Sequence, residues 1–164
     1  MIRRCRDTET AVIWEIINDG ATAYEGVIPD DRLHDPYMTL DELQHEIEDG
    51  VDFWGLEENG VLQGVMGIQD RGDVALIRHS YVRTSRRNKG FGTRLLRFLE
   101  STTTKPILVG TWAAAWWAVA FYQKNGYRLV GPGEKDSLLS KYWTISERQR
   151  ETSVVLARLP RANR

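Results

Sequence analysis

Arg87-Asn88-Lys89-Gly90-Phe91-Gly92 follows an apolar, strand-like run from Val74 to Val82 and precedes a helical pattern carried by Leu95, Leu96, Phe98 and Leu99. That placement gives the residue types a physical reason. A helix N-terminus presents unpaired amides and the positive end of the helix dipole. Glycines let the backbone approach an anion closely and adopt unusual φ values. A strand, a glycine turn and a helix in this order can cradle a pyrophosphate. Arg83, Arg86, Arg87, Lys89 and Arg94 concentrate positive charge around the turn, in a chain of formal net charge −1. Two other glycine motifs fit poorly. A Walker loop needs Gly-Lys-Ser/Thr after its spacer, and here Thr93 follows Gly92 with no lysine between. A dinucleotide fingerprint needs a third glycine where Leu95 stands. A glycine turn with a solvated basic face is the plain alternative.

Upstream of the motif, Ile2 to Arg6 reads as a short strand and Asp7 as the N-cap of a helix with Val12, Ile13, Ile16 and Ile17 on its apolar stripe. Residues 20–38 read as irregular, with Gly20, Gly26, Pro29 and Pro36 as breakers. Thr39-Leu40-Asp41-Glu42 matches a capping box, with Leu40, Leu43 and Ile47 as the buried face and Gly50 as the stop. Phe53–Glu57 and Val61–Gln69 flank an Asn59-Gly60 turn and predict a hairpin, which Val74–Val82 extends into a three-stranded meander.

Downstream, Pro106–Val109 predicts a strand, Ala113–Lys124 a helix closed by Asn125-Gly126, and Tyr127–Val130 a strand. Leu138, Leu139 and Tyr142 suggest a short helix, and Thr152–Leu156 a last strand with a basic tail from Arg158. The expected order is β-α-α-β-β-β-α-β-α-β-β: an α+β fold with a mostly antiparallel mixed sheet of about seven strands. No linker or repeat divides the chain, so residues 1–164 read as a single domain.

Composition narrows the function classes. The 164 residues are 41% hydrophobic and 27% charged, which supports a packed core and a solvated surface. The slightly negative net charge argues against a general nucleic-acid binder. No apolar run of about 18 residues is present, so no membrane helix is expected. No apolar signal core follows the basic N-terminus, so the expected location is cytoplasmic. The one cysteine, Cys5, permits no internal disulfide and reads as a packed residue of the first strand. With three histidines, one cysteine and no clustered spacing, no metal site is expected.

The run Val82 to Gly92 resembles the acyl-CoA-binding motif of the GNAT superfamily of N-acetyltransferases, with its Arg/Gln-x-x-Gly-x-Gly/Ala signature. Element order and length are similar over about the whole chain. The resemblance implies acetyl-CoA as cosubstrate. Its pyrophosphate would be held by amides of Asn88, Lys89, Gly90, Phe91, Gly92 and Thr93 with Arg83 and Arg87, and its pantetheine arm by the end of the Val82 strand. Ala115 to Tyr127 resembles the family's second cofactor motif, in which a tyrosine precedes Lys-x-Gly-aromatic. On that resemblance Lys124 belongs to the cofactor site and Tyr122 protonates the departing thiolate; a core tyrosine is the alternative. A phenol has a suitable proton for this.

Two positions depart from the family pattern. Many relatives carry asparagine where Ala115 stands, and some carry a basic glutamate where Leu76 stands. His79 is then a candidate base and Glu25 another, and a strand amide near His79–Val82 is placed to stabilise an oxyanion. The resemblance places the amine acceptor between the 20–38 segment and the end of the Val109 strand, near Tyr24, Glu25, Tyr37, Trp54 and Trp112. Six tryptophans, three of them at Trp112, Trp116 and Trp117, suggest an aromatic pocket or core packing. The leading expectation is N-acetyl transfer to a primary amine by direct attack in a ternary complex. The alternative is a non-catalytic acyl-CoA-binding or sensing module. No nucleic-acid or membrane partner is expected, and a homodimer is left open.

Overall fold

The computed structural model describes residues 1–33 and 35–159; the last part of the basic tail, from residue 160, lies outside the described residues. Among these residues a seven-stranded mixed sheet has the order β1-β2-β3-β4-β5-β7-β6. The strands are β1 (Ile2–Arg4), β2 (Val51–Glu58), β3 (Val61–Asp70), β4 (Ala75–Val82), β5 (Ile107–Trp112), β6 (Arg128–Leu129) and β7 (Ser153–Arg158). Six helices flank them: α1 (Thr10–Ala21), α2 (Leu40–Glu48), α3 (Phe91–Ser101), α4 (Trp116–Lys124), α5 (Pro132–Tyr142) and α6 (Glu147–Glu151). The expected α+β architecture is present. Two helices, α5 and α6, stand between β6 and β7, where one short helix at Leu138–Tyr142 was suggested and the expected order wrote none.

Local chemistry explains most boundaries. Thr39 caps α2 by accepting from the Glu42 amide at 3.1 Å. Asn59 and Gly60 both take positive φ, 52° and 80°, so the β2–β3 hairpin closes through a turn of primed type. Local details differ from expectation. Asp7 lies inside a 3-10 turn, Asp7–Glu9, ahead of α1 rather than capping it. α1 continues through Gly20 to Ala21 because Gly20 packs against Tyr81, where a Cβ would lie 2.6 Å from the ring. Leu40 sits in the first turn of α2 and is 45% exposed, while Leu43 is fully buried.

The helices divide between the two faces of the sheet. Leu95, Leu96 and Leu99 of α3 pack with Tyr122 of α4 on Met66, Ile77 and Val109. On the other face, Ile13, Ile16 and Ile17 of α1 and Leu43 of α2 cover Val51, Phe53 and Val65. Leu139 and Tyr142 of α5 cover Leu76, Leu108 and Val155 on that same face. Leu76, the position where some relatives of the resembled family carry a base, is therefore core.

Two irregularities of β4 shape the middle of the sheet. The β3–β4 register passes from Gly67↔Arg78 to Val65↔Tyr81, so β4 carries one extra residue at a bulge. His79 sits in that bulge with φ 54°, a rare conformation for a residue with a Cβ. Next, β4 and β5 run parallel but pair only from Ala75↔Ile107 to Ile77↔Val109. Beyond those residues the two strands part.

Candidate active site

The parting strands open onto a cavity of about 150 Å3 that extends to both faces of the sheet. Its strand walls are Ile77 to Tyr81 on β4 and Val109 to Trp112 on β5. Tyr122 reaches it from α4, and Tyr24 and Tyr37 from the segment between α1 and α2. Trp143, Ile145, Gln149 and Ser153 close it from the α5–α6 side.

Tyr122 is 4% exposed. Burial pushes its phenol up to about 12, against the opposing effect of a hydrogen bond with Ser80. The group is a proton donor across the working pH range. Tyr24, Tyr37 and Tyr81 are also raised, each chiefly by burial, and stay neutral. Their hydroxyls connect: Tyr24 Oη lies 3.3 Å from Tyr81 Oη, and Tyr37 Oη accepts from Trp112 Nε1 at 3.0 Å.

His79 Nε2 contacts the Glu46 carboxylate of α2, and Arg78 donates to the same carboxylate at 2.7 Å and to Gln69 at 3.2 Å. Burial works to raise Glu46, but the contact with His79 and the charges of His79 and Arg78 outweigh it and hold it below its usual value. The contact holds the imidazole of β4 against α2. Glu46 is a site residue that sequence reading missed. The signal existed: it lies three residues after Leu43, on the inward face of an amphipathic helix where a carboxylate needs a partner.

The glycine turn lies where β4 ends. A 3-10 turn, Thr84–Arg86, leads into Asn88 and Gly90, both left-handed at φ 63° and 77°. Gly90 accepts the first regular helical bond of α3, from Arg94 N at 3.1 Å. The amides of Phe91, Gly92 and Thr93 have no partner within the helix. Nothing lies within 4 Å of a Cβ built at Gly90, and one at Gly92 meets only the Phe121 ring at 3.4 Å. The turn is therefore open where the side chains of Gly90 and Gly92 would stand.

The turn is tied to α1. Asp19 accepts from the Thr84 amide at 2.8 Å, and the Arg87 guanidinium donates to the Gly20 carbonyl at 3.3 Å. Arg83 Nε donates to the Leu62 carbonyl at 2.9 Å, and Arg86 pairs with Glu58 at 3.4 Å. Lys89 and Arg94 are exposed beside the turn, and Val82 pairs with Gly64 at the end of the β3–β4 ladder.

Other expected site residues are placed elsewhere. Trp54 packs against Phe98 of α3, ring centroids 5.0 Å apart, and is not among the cavity residues. Strand alternation decides this: Phe53 faces α1 and α2, so its neighbour faces α3. Glu25 is exposed at the end of a 3-10 turn. Lys124, at the C-terminal end of α4, lines a separate groove with Arg97, Arg128 and Arg158. Ala115 is fully buried at the N-cap of α4 and offers no polar side chain. Cys5 is pushed up to about 12 by burial first and Glu9 second, so its thiol is inert.

Among the described residues no group of three or more His, Cys, Asp or Glu could hold a metal ion. No described helix is long and apolar enough to cross a membrane.

The model of the acetyltransferase (GNAT) domain family matches residues 19–139. No curated protein matches the sequence. Solved structures are similar over almost the whole chain. The PaiA N-acetyltransferase from Thermoplasma acidophilum in complex with coenzyme A has a TM-score of 0.73 at 15% identity, covering 97% of this chain and 98% of its own. The ribosomal-protein-alanine N-acetyltransferase from Brucella melitensis has a TM-score of 0.67 at 16% identity, with 97% and 99% covered. YncA from Salmonella typhimurium, solved with its cofactor acetyl-CoA, has a TM-score of 0.64 at 20% identity, with 100% and 95% covered. Likeness at these identities establishes the fold.

Proposed function

The chain belongs to the GNAT family and is an acetyl-CoA-dependent acyltransferase, and from that premise we propose that it acetylates a primary amine by direct attack in a ternary complex. One observation carries the proposal. A phenol kept protonated by burial and an imidazole held by a carboxylate line the same cavity, where β4 and β5 part beside the glycine turn. Residues 1–164 act in it as one acyl-CoA N-acyltransferase domain.

Acetyl-CoA, when bound, supplies a thioester carbonyl and a thiolate leaving group. The amides of Phe91, Gly92 and Thr93, with Asn88, Lys89 and Gly90 shaping their approach, hold its pyrophosphate by hydrogen bonds and helix dipole. Arg83 and Arg87 add charge. Arg87 has a second duty, since it already satisfies a terminal carbonyl of α1 at 3.3 Å. The end of β4 at Val82 offers backbone groups to the pantetheine arm, and amides of the His79–Val82 bulge are positioned to stabilise charge on the carbonyl oxygen.

His79 takes the proton of the attacking amine, and Glu46 stabilises the imidazolium that results. Tyr122 gives its hydroxyl proton to the thiolate. The reaction class is tested by incubating the full chain with acetyl-CoA and a panel of primary amines while following thiol release. Acetyl transfer to at least one amine is expected; bound acetyl-CoA with no transfer to any amine contradicts the proposal.

A further inference from the structure

Resting on that reading, we infer that the acceptor is a small primary monoamine bearing an aromatic ring on a short linker. The inference comes from what the cavity offers and withholds. Among the described residues no carboxylate lines it; Glu46 stands behind Arg78 and His79 and is occupied by both. A second ammonium, as in a diamine or polyamine, finds no counter-ion there, and desolvating it is costly. The guanidinium that lines the cavity, Arg78, is held by Glu46 at 2.7 Å and Gln69 at 3.2 Å. An acceptor carboxylate would have to break one of those bonds.

What the cavity does offer is ring surface. Tyr24, Tyr37, Tyr81 and Trp112 line it; Tyr24 meets Tyr37 at 5.3 Å, tilted, and is backed at 6.1 Å by Trp117, which lies outside the lining. Trp143 and Ile145 face them across the opening. The volume of about 150 Å3 is that of a cavity able to take a benzene ring. Aromatic walls favour such a ring through area burial and offset or edge contacts, and the neutral phenols accept hydrogen bonds from its amino group. An ion pair between Asp31 and Arg148, at 3.3 Å, ties the segment carrying Tyr24 and Tyr37 to α6 on the opposite wall.

The test compares kcat/KM of the full chain for phenethylamine, butylamine, putrescine, spermidine, glutamate and a lysine-containing peptide. Phenethylamine is expected to lead each of the others by at least about tenfold, the discrimination one apolar group gives in a fitted pocket. A lead by any of the other amines overturns the inference and leaves the proposed function standing. No transfer to any amine, with acetyl-CoA still bound, overturns both. Ile145→Asp supplies the missing carboxylate. It is expected to move the putrescine-to-phenethylamine ratio toward putrescine by at least about tenfold. A folded Ile145→Asp protein with the wild-type ratio removes the acceptor from this cavity.

Discussion

The proposed anion cradle and the proposed acceptor cavity adjoin at one end of β4 but are made of different materials. The cradle is a contiguous piece of backbone, Asn88 to Thr93, exposed, with its working groups being amides that every residue has. The cavity is made mostly of side chains drawn from Tyr24 to Ser153, and it is half-enclosed. A backbone site tolerates change in what its side chains are, provided they stay small and the left-handed turn survives. A side-chain site tolerates change in the path of the chain, provided the tips still meet. The two should therefore fail differently when altered.

Tyr122→Phe should show the largest effect. It keeps the ring and its packing and removes the donor, so kcat is expected to fall by roughly 10²–10⁴-fold while acetyl-CoA affinity stays nearly constant. With the phenol pushed up to about 12, the wild-type rate should show no alkaline fall from this group until pH nears that value. An unchanged kcat under chemistry-limited conditions would return Tyr122 to the core. His79→Gln comes next, with a loss of about 10²-fold in kcat/KM. The same loss in acetyl-CoA affinity would show that the bulge, not the imidazole, had been disturbed.

The cradle should behave in the opposite sense. Gly92→Ala adds a Cβ that meets Phe121 at an ordinary 3.4 Å, so thermal stability should hold. Acetyl-CoA affinity should hold too, since the motif's signature admits alanine here, whereas Gly92→Val should lower it by at least about tenfold because a β-branched side chain stands where the anion approaches. Gly90→Val adds strain of roughly 1–2 kcal/mol at a left-handed position. Wild-type affinity in folded Gly92→Val would refute the cradle.

Gly20 joins the two regions. A Cβ there would lie 2.6 Å from the Tyr81 ring, so Gly20→Ala should cost about 1–3 kcal/mol in denaturant unfolding. The smallest effect lies far from both sites. Arg3, by its hydrogen bond first, lowers Glu9 to about 2 against the opposing effect of burial. A carboxylate lowered in the folded state contributes stability above its unfolded value, and that contribution is lost as pH falls. Stability should therefore decline from about pH 4.5 toward about 2, and Glu9→Gln should flatten that decline.

This contrast also explains what the sequence disclosed. The glycine turn, the Thr39 cap and the Asn59-Gly60 hairpin are local signals, in which the residue types and their consequence lie within a few positions. Tyr122 and His79 were legible as candidates because a motif or a titratable side chain pointed to them. Glu46, Trp143 and Gln149 were not singled out, because their meaning depends on where α2 and the α5–α6 segment pack. Trp54 shows the same difficulty from the other side. The family resemblance placed it near the acceptor, but which face of β2 it occupies is settled by register, and register depends on the partner strand. The pair α5–α6 was half legible, through Leu138, Leu139 and Tyr142, and the Ser146 cap of α6, which accepts from Gln149 N at 3.2 Å, is a local signal that could have completed it.

The parting of β4 and β5 has a further consequence. A sheet normally exposes unpaired ladder groups only at its outermost strands, and those are where foreign strands add and aggregates begin. Here the pairing stops after Ile77 and Val109, so two more edges exist in the middle of the sheet. Tyr24 and Tyr37 on one wall and Trp143 and Ile145 on the other crowd the approach to them. The fold thus keeps an open hydrogen-bonding ladder available to a slender ligand while denying it to another polypeptide.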